Sequence, residues 1–124
     1  MTKIVLPLRL PGLNEYTAAC RGNRFAGASM KRKCQTEIAR YVYGTPAVTR
    51  PVIVRIEWME KTARRDIDNL SFAKKFILDA LVEEGVLPDD SRKWVRGFVE
   101  TFPVGDEDRI TITLEEETET DGDT

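Results

Sequence analysis

Residues 70–81 read LSFAKKFILDAL, and this stretch decides the fold because its apolar residues recur at helical spacing. A stripe that repeats every three or four residues is typical of an amphipathic helix packed against a core. Gly85 is a natural end for this helix, because glycine readily adopts the conformation found after helix ends. The stripe consists of Leu70, Ala73, Phe76, Ile77, Ala80 and Leu81.

On either side of this helix, apolar residues alternate with other residues, which is typical of β-strands. The predicted strands are residues 4–10, 52–58, 94–102 and 109–114. A further helix is predicted from Ser29 to Tyr43, and the glycine-containing stretch 12–28 is predicted to be a long loop. The order β-α-β-α-β-β predicts an α+β domain, with one small mixed sheet of about four strands packed with two main helices.

Composition narrows the classes of function. The chain has 124 residues, of which 41% are hydrophobic and 32% are charged, so one folded domain is expected. No apolar run approaches the roughly 20 residues that span a bilayer, and the N-terminus lacks a signal-peptide pattern, which predicts a cytoplasmic protein without a membrane partner. The absence of histidine excludes histidine-based catalysis and histidine-ligated metals, whereas oxygen-only sites for Mg²⁺ stay open.

Charge is distributed unevenly. Residues 115–124 carry six acids and no base, so this segment is predicted to be a disordered tail on a domain formed by residues 1–114. Without these six of the 21 acids, 19 bases face 15 acids, and a mildly basic body indicates an anionic partner. The tail is expected either to mimic DNA or to act only as a solubilising segment.

Two pairs of acids could carry chemistry. Asp66 and Asp68 flank one residue just before the long helix, and two carboxylates so placed can face one cation such as Mg²⁺. The alternative is that Asp68 or Asn69 caps the helix. Asp90 follows Asp89 in a predicted turn, where aspartate is common for structural reasons alone.

Basic residues provide a second signal. Lys75 lies seven residues after Asp68 and four before Asp79, which places all three near one helix face and lets Asp79 hold the Lys75 ammonium group. Between residues 16 and 36 there are five bases and no acid, and a basic helix start favours phosphate. An exposed basic face is the alternative. The candidate phosphate-binding residues are Arg21, Arg24, Lys31, Arg32, Lys33, Arg64, Arg65 and Lys74.

Several motifs together carry a resemblance to a known family, and they are Asp66-Ile67-Asp68-Asn69, Lys75, Asp79-Ala80-Leu81, Asp89-Asp90-Ser91 and the opening Leu10-Pro11-Gly12-Leu13-Asn14-Glu15-Tyr16. With these motifs the sequence resembles the RusA-type Holliday junction resolvases, and the resemblance covers most of residues 4–114. Members of this family are small, mostly phage- or prophage-encoded, homodimeric, magnesium-dependent endonucleases. The resemblance implies metal binding by Asp66, Asp68 and Asp90, and a catalytic role for Lys75 when the lysine is aligned from Asp79.

The sequence therefore predicts a homodimeric, magnesium-dependent endonuclease that resolves branched DNA such as the four-way junction. In this interpretation the basic residues hold the DNA backbone, and Asp90 completes the site of its own subunit or that of its partner. A non-catalytic nucleic-acid-binding module, with the aspartates as caps and turn residues, is the main alternative. A regulatory protein that acts through its acidic tail is a third.

Overall fold

The computed structural model describes residues 1–118 and contains four strands and four helices in that range. Within these residues no helix has the length and apolar character needed to cross a bilayer. The strands are β1 (Thr2–Leu6), β2 (Val52–Met59), β3 (Val95–Thr101) and β4 (Arg109–Glu116). The helices are α1 (Leu13–Gly22), α2 (Ala26–Val42), α3 (Ile67–Ser71) and α4 (Lys74–Glu83).

The strands form one mixed sheet in the order β1-β4-β2-β3. β4 runs antiparallel to both β1 and β2, whereas β2 and β3 are parallel. On the central strand pair Ile56 lies opposite Ile112, and on the parallel pair it lies opposite Glu100. The α+β class with a single mixed sheet is confirmed.

The core lies between one face of this sheet and the helices. Because side chains alternate along a strand, every second residue of β2 and β4 is buried on this face. The same periodicity leaves polar side chains such as Arg55 and Thr113 on the other face. Fully buried side chains from the sheet and from α2 and α4 include Leu6, Ile38, Val54, Ile56, Phe76, Ile77, Leu81, Ile112 and Leu114.

The prediction of a loop over residues 12–28 is wrong, because α1 occupies much of it. No residue of α1 is buried, so the sequence carries no continuous apolar stripe there. α1 is held instead by Tyr16, whose ring lies 5.3 Å from that of Phe72 and 5.8 Å from that of Phe76. α2 also begins earlier than predicted, at Ala26. The lysines at positions 31 and 33 therefore lie beyond its first turn, which weakens the argument for a phosphate site at a helix start.

The predicted long helix is divided into α3 and α4, with Phe72 and Ala73 between them. The interruption lies between Asp68 and Lys75, so their spacing does not place them on one continuous α-helix. At the other end of the chain, β4 continues through Glu116, two residues into the predicted tail. Residues 119–124 of that tail lie outside the described residues.

Replacing Leu114 by alanine tests the packing of the sheet. Leu114 has no exposed surface, so Leu114→Ala is expected to lower the free energy of unfolding by about 2–5 kcal/mol. Thr113 is its neighbour on the opposite face, and Thr113→Ala is expected to cost less than about 1 kcal/mol. Urea unfolding measures both, and equal losses would contradict the placement of the core.

Candidate active site

Three of the predicted catalytic residues meet at one cavity. Asp68, Lys75 and Asp90 lie far apart along the chain, yet all three line an open cavity of about 490 Å³ beside α3 and α4. The complete lining is Asp68, Ser71, Phe72, Lys74, Lys75, Leu78, Asp90 and Phe98. The cavity therefore combines two carboxylates and two amines with an apolar floor.

The turn after α4 brings Asp90 to the cavity that Asp68 also lines. Gly85 has a φ of +77°, a left-handed conformation that favours glycine, and it ends α4. The N–H groups of Val86 and Leu87 then donate to the Leu81 carbonyl oxygen at 2.9 and 3.2 Å. The chain consequently returns beside the helix, and Asp68 and Asp90 of the same subunit line one cavity.

The predicted catalytic side chains at this cavity have no partner within residues 1–118. Asp68, Asp90 and Lys75 are exposed, and within residues 1–118 their side chains form no hydrogen bond or ion pair. Asp66 is the N-cap of α3, but its side chain makes no capping hydrogen bond. The alternative that Asp68 or Asn69 caps this helix is therefore wrong. The Asn69 Oδ1 instead accepts from the Asn14 N–H at 2.9 Å.

Asn69 also joins the N-terminal segment to the site. A Cβ atom on Gly12 would lie 2.5 Å from Asn69 Oδ1, a separation that real Cβ atoms do not adopt. Only glycine therefore lets the backbone approach the Asn69 side chain so closely. The stretch around Gly12 and the stretch around Asp68, both singled out in the sequence, are neighbours in the fold.

In the Asp89–Asp90 turn, Asp89 is the residue that has the predicted structural role. Asp89 Oδ1 accepts from the Ser91 N–H at 2.8 Å. Hydrogen bonds from the side chain and backbone of Ser91 hold the pKa of the Asp89 carboxyl below its ordinary value. Asp90 takes no part in this turn contact, and its carboxylate stays available at the cavity.

Asp66 lies outside this arrangement. It lines a neighbouring cavity of about 460 Å³, and Asp68 is the residue that the two cavities share. Within residues 1–118 no three acidic or cysteine side chains are grouped so that they could hold a metal ion. The three carboxylates predicted from the resemblance are thus not grouped, whereas Asp68 and Asp90 line one cavity. One or two carboxylates, completed by water and substrate phosphate, are a common ligand set for Mg²⁺.

A hydrogen-bonded glutamate lies behind this cavity, and the sequence analysis missed it. Glu100 on β3 accepts hydrogen bonds from Trp58 Nε1, Ser71 Oγ and Lys74 Nζ at 2.8, 3.0 and 2.8 Å. Burial raises the pKa of the Glu100 carboxyl, but these hydrogen bonds outweigh it and the net pKa is lowered. The sequence did contain a signal for this role, because Glu100 is a charged residue two positions after Phe98 and lies on the inward face of a strand.

The observed contacts of Lys74 and Lys75 differ from those predicted. Lys74 is half-buried and ion-paired with Glu100, and its Nζ lies 4.9 Å from the centre of the Phe98 ring, so its ammonium has partners inside the protein. The expected contact between Lys75 and Asp79 is absent from the described residues. Asp79 instead accepts from Gln35 and pairs with Lys31, whose Nζ lies 3.2 Å from its Oδ2.

Arg65 is also occupied inside the protein. Its guanidinium pairs with Glu60, the one charged residue among the buried side chains of residues 1–118, and donates to the Leu10 carbonyl oxygen at 3.0 Å. Glu15 lies 3.5 Å from the same guanidinium. These contacts attach the segment that leads to Asp66 to Leu10, between β1 and α1, and to the first turn of α1.

The remaining predicted phosphate-binding residues are exposed and form no ion pair with any residue that the structure describes. Arg24 packs over the Phe25 ring at 4.7 Å. The five are Arg21, Arg24, Arg32, Lys33 and Arg64.

No protein-family model matches this chain. The resemblance to RusA-type resolvases therefore stays a prediction. The functional argument depends on where the fold places Asp68, Lys75 and Asp90, and on the absence of internal partners for their side chains within residues 1–118.

Replacing Glu100 by glutamine tests whether its carboxylate stabilises the fold around the candidate site. Because the folded state holds the pKa of Glu100 below its ordinary value of 4.5, its carboxylate stabilises the fold above pH 4.5. That contribution is lost as the pH falls through the folded-state pKa. Glu100→Gln is therefore expected to cost roughly 1–3 kcal/mol at neutral pH, and less as the solution is acidified.

Urea unfolding across this pH range measures the difference from the native protein. Glu57→Gln, on the opposite face of the sheet, is the matched control for removal of one carboxylate charge. A Glu100→Gln deficit that does not shrink on acidification would contradict the role of the carboxylate.

Proposed function

We propose that the protein is a magnesium-dependent, structure-selective DNA endonuclease of RusA type that resolves four-way junctions. The observation that carries this proposal is the convergence of Asp68, Lys75 and Asp90 on one cavity from three separate segments. Within residues 1–118 the carboxylates of Asp68 and Asp90 and the amine of Lys75 neither cap nor pair, so they are available to an external ligand. Their combination suits a phosphodiester, which needs both a cation site and a positive side chain.

Asp68 and Asp90 are the residues that would hold Mg²⁺, with Asp66 close by in the adjoining cavity. Magnesium supplies phosphodiester hydrolysis with charge neutralisation at the phosphoryl oxygens and with activation of water. The two carboxylates face solvent, so the ion can keep several water ligands and still accept substrate oxygens.

Lys75 stabilises negative charge as the phosphodiester is cleaved. It is exposed at the cavity and has no ion-pair partner among residues 1–118, so its ammonium can donate to a phosphoryl oxygen or to the leaving oxygen. Lys74, its neighbour, is fixed by Glu100 and Ser71. Lys75 is therefore the lysine that acts on the substrate, and Lys74 holds the helix start in place.

The DNA backbone is held by the exposed bases on the loop before α3 and on the α1–α2 pair. Contacts of this kind position the substrate without reading its sequence. Resolution of a junction needs two nicks on symmetry-related strands, so the active form is a homodimer with two sites. The bases are Arg21, Arg24, Arg32, Lys33 and Arg64.

Asparagine variants of Asp68 and Asp90 test the metal site. Each removes a negative charge but keeps the shape of the side chain, so junction cleavage should fall by at least about 100-fold while junction binding is retained or tightened. The measurement is the single-turnover cleavage rate on a saturated synthetic four-way junction, together with the affinity for that junction.

Asp89→Asn is the matched control for Asp90→Asn. Asparagine can accept the same hydrogen bond from Ser91, so this variant should keep both the turn and cleavage. If Asp68→Asn and Asp90→Asn cut as fast as the native protein, the two aspartates have no catalytic role and the non-catalytic binding module is favoured.

Lysine-to-alanine variants distinguish the two neighbouring lysines. Lys75→Ala should slow single-turnover cleavage by about 100-fold or more with little change in junction affinity or stability. Lys74→Ala leaves Glu100 without its cation, so it should lower the free energy of unfolding by about 1–3 kcal/mol. Lys3→Ala, on a strand at the far edge of the sheet, controls for general charge. Slower cleavage by Lys74→Ala than by Lys75→Ala would show that the assignment is reversed.

A further inference from the structure

A cluster of bases lies beside the last residues that the structure describes and has no role in the mechanism above. Arg92, Lys93 and Arg96, which form the basic ridge, follow Asp90 on the turn into β3 and at the start of that strand, and all three are exposed. The side chains of Arg92 and Lys93 form no ion pair within residues 1–118, although Lys93 lies within electrostatic range of Asp89. The ridge therefore carries positive charge that is available to an anionic partner.

The end of the described chain is attached to this ridge. The Arg96 guanidinium pairs through Nε with Glu117 Oε1 at 3.0 Å, and through Nη1 it donates to the Arg92 carbonyl oxygen at 3.2 Å. The Glu117 N–H donates to the Pro51 carbonyl oxygen at 2.8 Å, and Arg50 Nη1 donates to the Glu117 carbonyl oxygen at 3.4 Å. One side chain of the ridge thus joins Glu117 to Arg92, and these contacts fix the point from which the remaining residues start.

The residues that follow carry the opposite charge and are long enough to reach the ridge. Residues 119–124 contain Glu119, Asp121 and Asp123 and no base. Seven residues follow position 117, and a fully extended chain of that length spans about 25 Å. The backbone of Arg92 is closer than this, because a single arginine side chain connects it to position 117. A tether this short also keeps the local concentration of the three carboxylates high.

We propose that the acidic segment 119–124 docks on the basic ridge of its own subunit and competes there with the phosphate backbone of DNA. Its carboxylates pair with Arg92 and Lys93 in exposed ion pairs, which are individually weak and are screened by salt. Asp90 lines the candidate catalytic cavity two residues before Arg92, so a backbone that leaves this cavity passes the ridge. The docking does not depend on the proposed function, whereas the competition with DNA rests on it.

Backbone amide NMR spectra test the docking without any DNA. The neutral-segment variant, Glu119→Gln with Asp121→Asn and Asp123→Asn, is compared with the native chain at low and at high salt. The substitutions should shift the amide signals of the basic ridge at low salt, and high salt should abolish this difference because it screens exposed ion pairs. The signal of Asp106, before the other end of β4, is the internal reference. Shifts confined to residues 116–124 would overturn the docking.

The affinity for a linear duplex tests the competition. At low salt the neutral-segment variant should bind a random-sequence duplex about three- to tenfold more tightly than the native chain does, because the ridge is then open to phosphate. In an Arg92→Gln/Lys93→Gln background the same neutralisation should change the affinity by less than about twofold, since the segment has lost its site. The matched background, Arg21→Gln/Arg24→Gln, removes the same charge from the region of α1 and should keep the full effect.

The outcomes distinguish the docking from the proposed function. An equal gain in duplex affinity in all three backgrounds, with folding checked by circular dichroism, would overturn competition at the ridge, because the segment would then act through its net charge alone. Failure of the native protein to bind or cut any DNA would overturn the proposed function and the competition that rests on it. The NMR comparison would still decide the docking in that case.

Discussion

The Leu81 carbonyl oxygen accepts hydrogen bonds from the N–H groups of both Val86 and Leu87, and the direction of the chain after α4 depends on this contact. Val86 and Leu87 are buried, so the turn is held by packing as well as by its hydrogen bonds. Without the return, an acid following α4 would lie a helix length from Asp68. With it, Asp90 and Asp68 of one subunit line the same cavity.

The charged residues around this cavity form two groups. Arg65 with Glu60, and Lys74 with Glu100, are half-buried or buried pairs that hold the loop before α3 and the break between α3 and α4. Breaking such a pair leaves an uncompensated charge, so these residues are constrained by the fold. Asp68, Asp90 and Lys75 are exposed and unpaired within residues 1–118, so their charges are available to an external ligand.

The sequence predicted those parts of the fold that depend on regular apolar spacing. Alternation located the sheet, and the stripe ending at Leu81 located α4, because burial on one face imposes that spacing. α1 was missed because none of its residues is buried. The partner of Lys74 was missed because Glu100 lies on β3, and pairing across elements leaves no local pattern. The partner of Arg65 was missed because Glu60 lies with it in the irregular connection between β2 and α3, where no periodic spacing marks a pair. Asp90 was chosen from the resemblance alone, and the structural role of Asp89 became visible only in its contact to Ser91.

The most direct test of the account is cleavage of a synthetic four-way junction by the native protein, with and without Mg²⁺, beside a linear duplex of the same sequence. The account predicts paired, symmetry-related nicks in the junction that require Mg²⁺, and little cleavage of the duplex. Junction binding without cleavage at any magnesium concentration would contradict it, and so would equal cutting of junction and duplex.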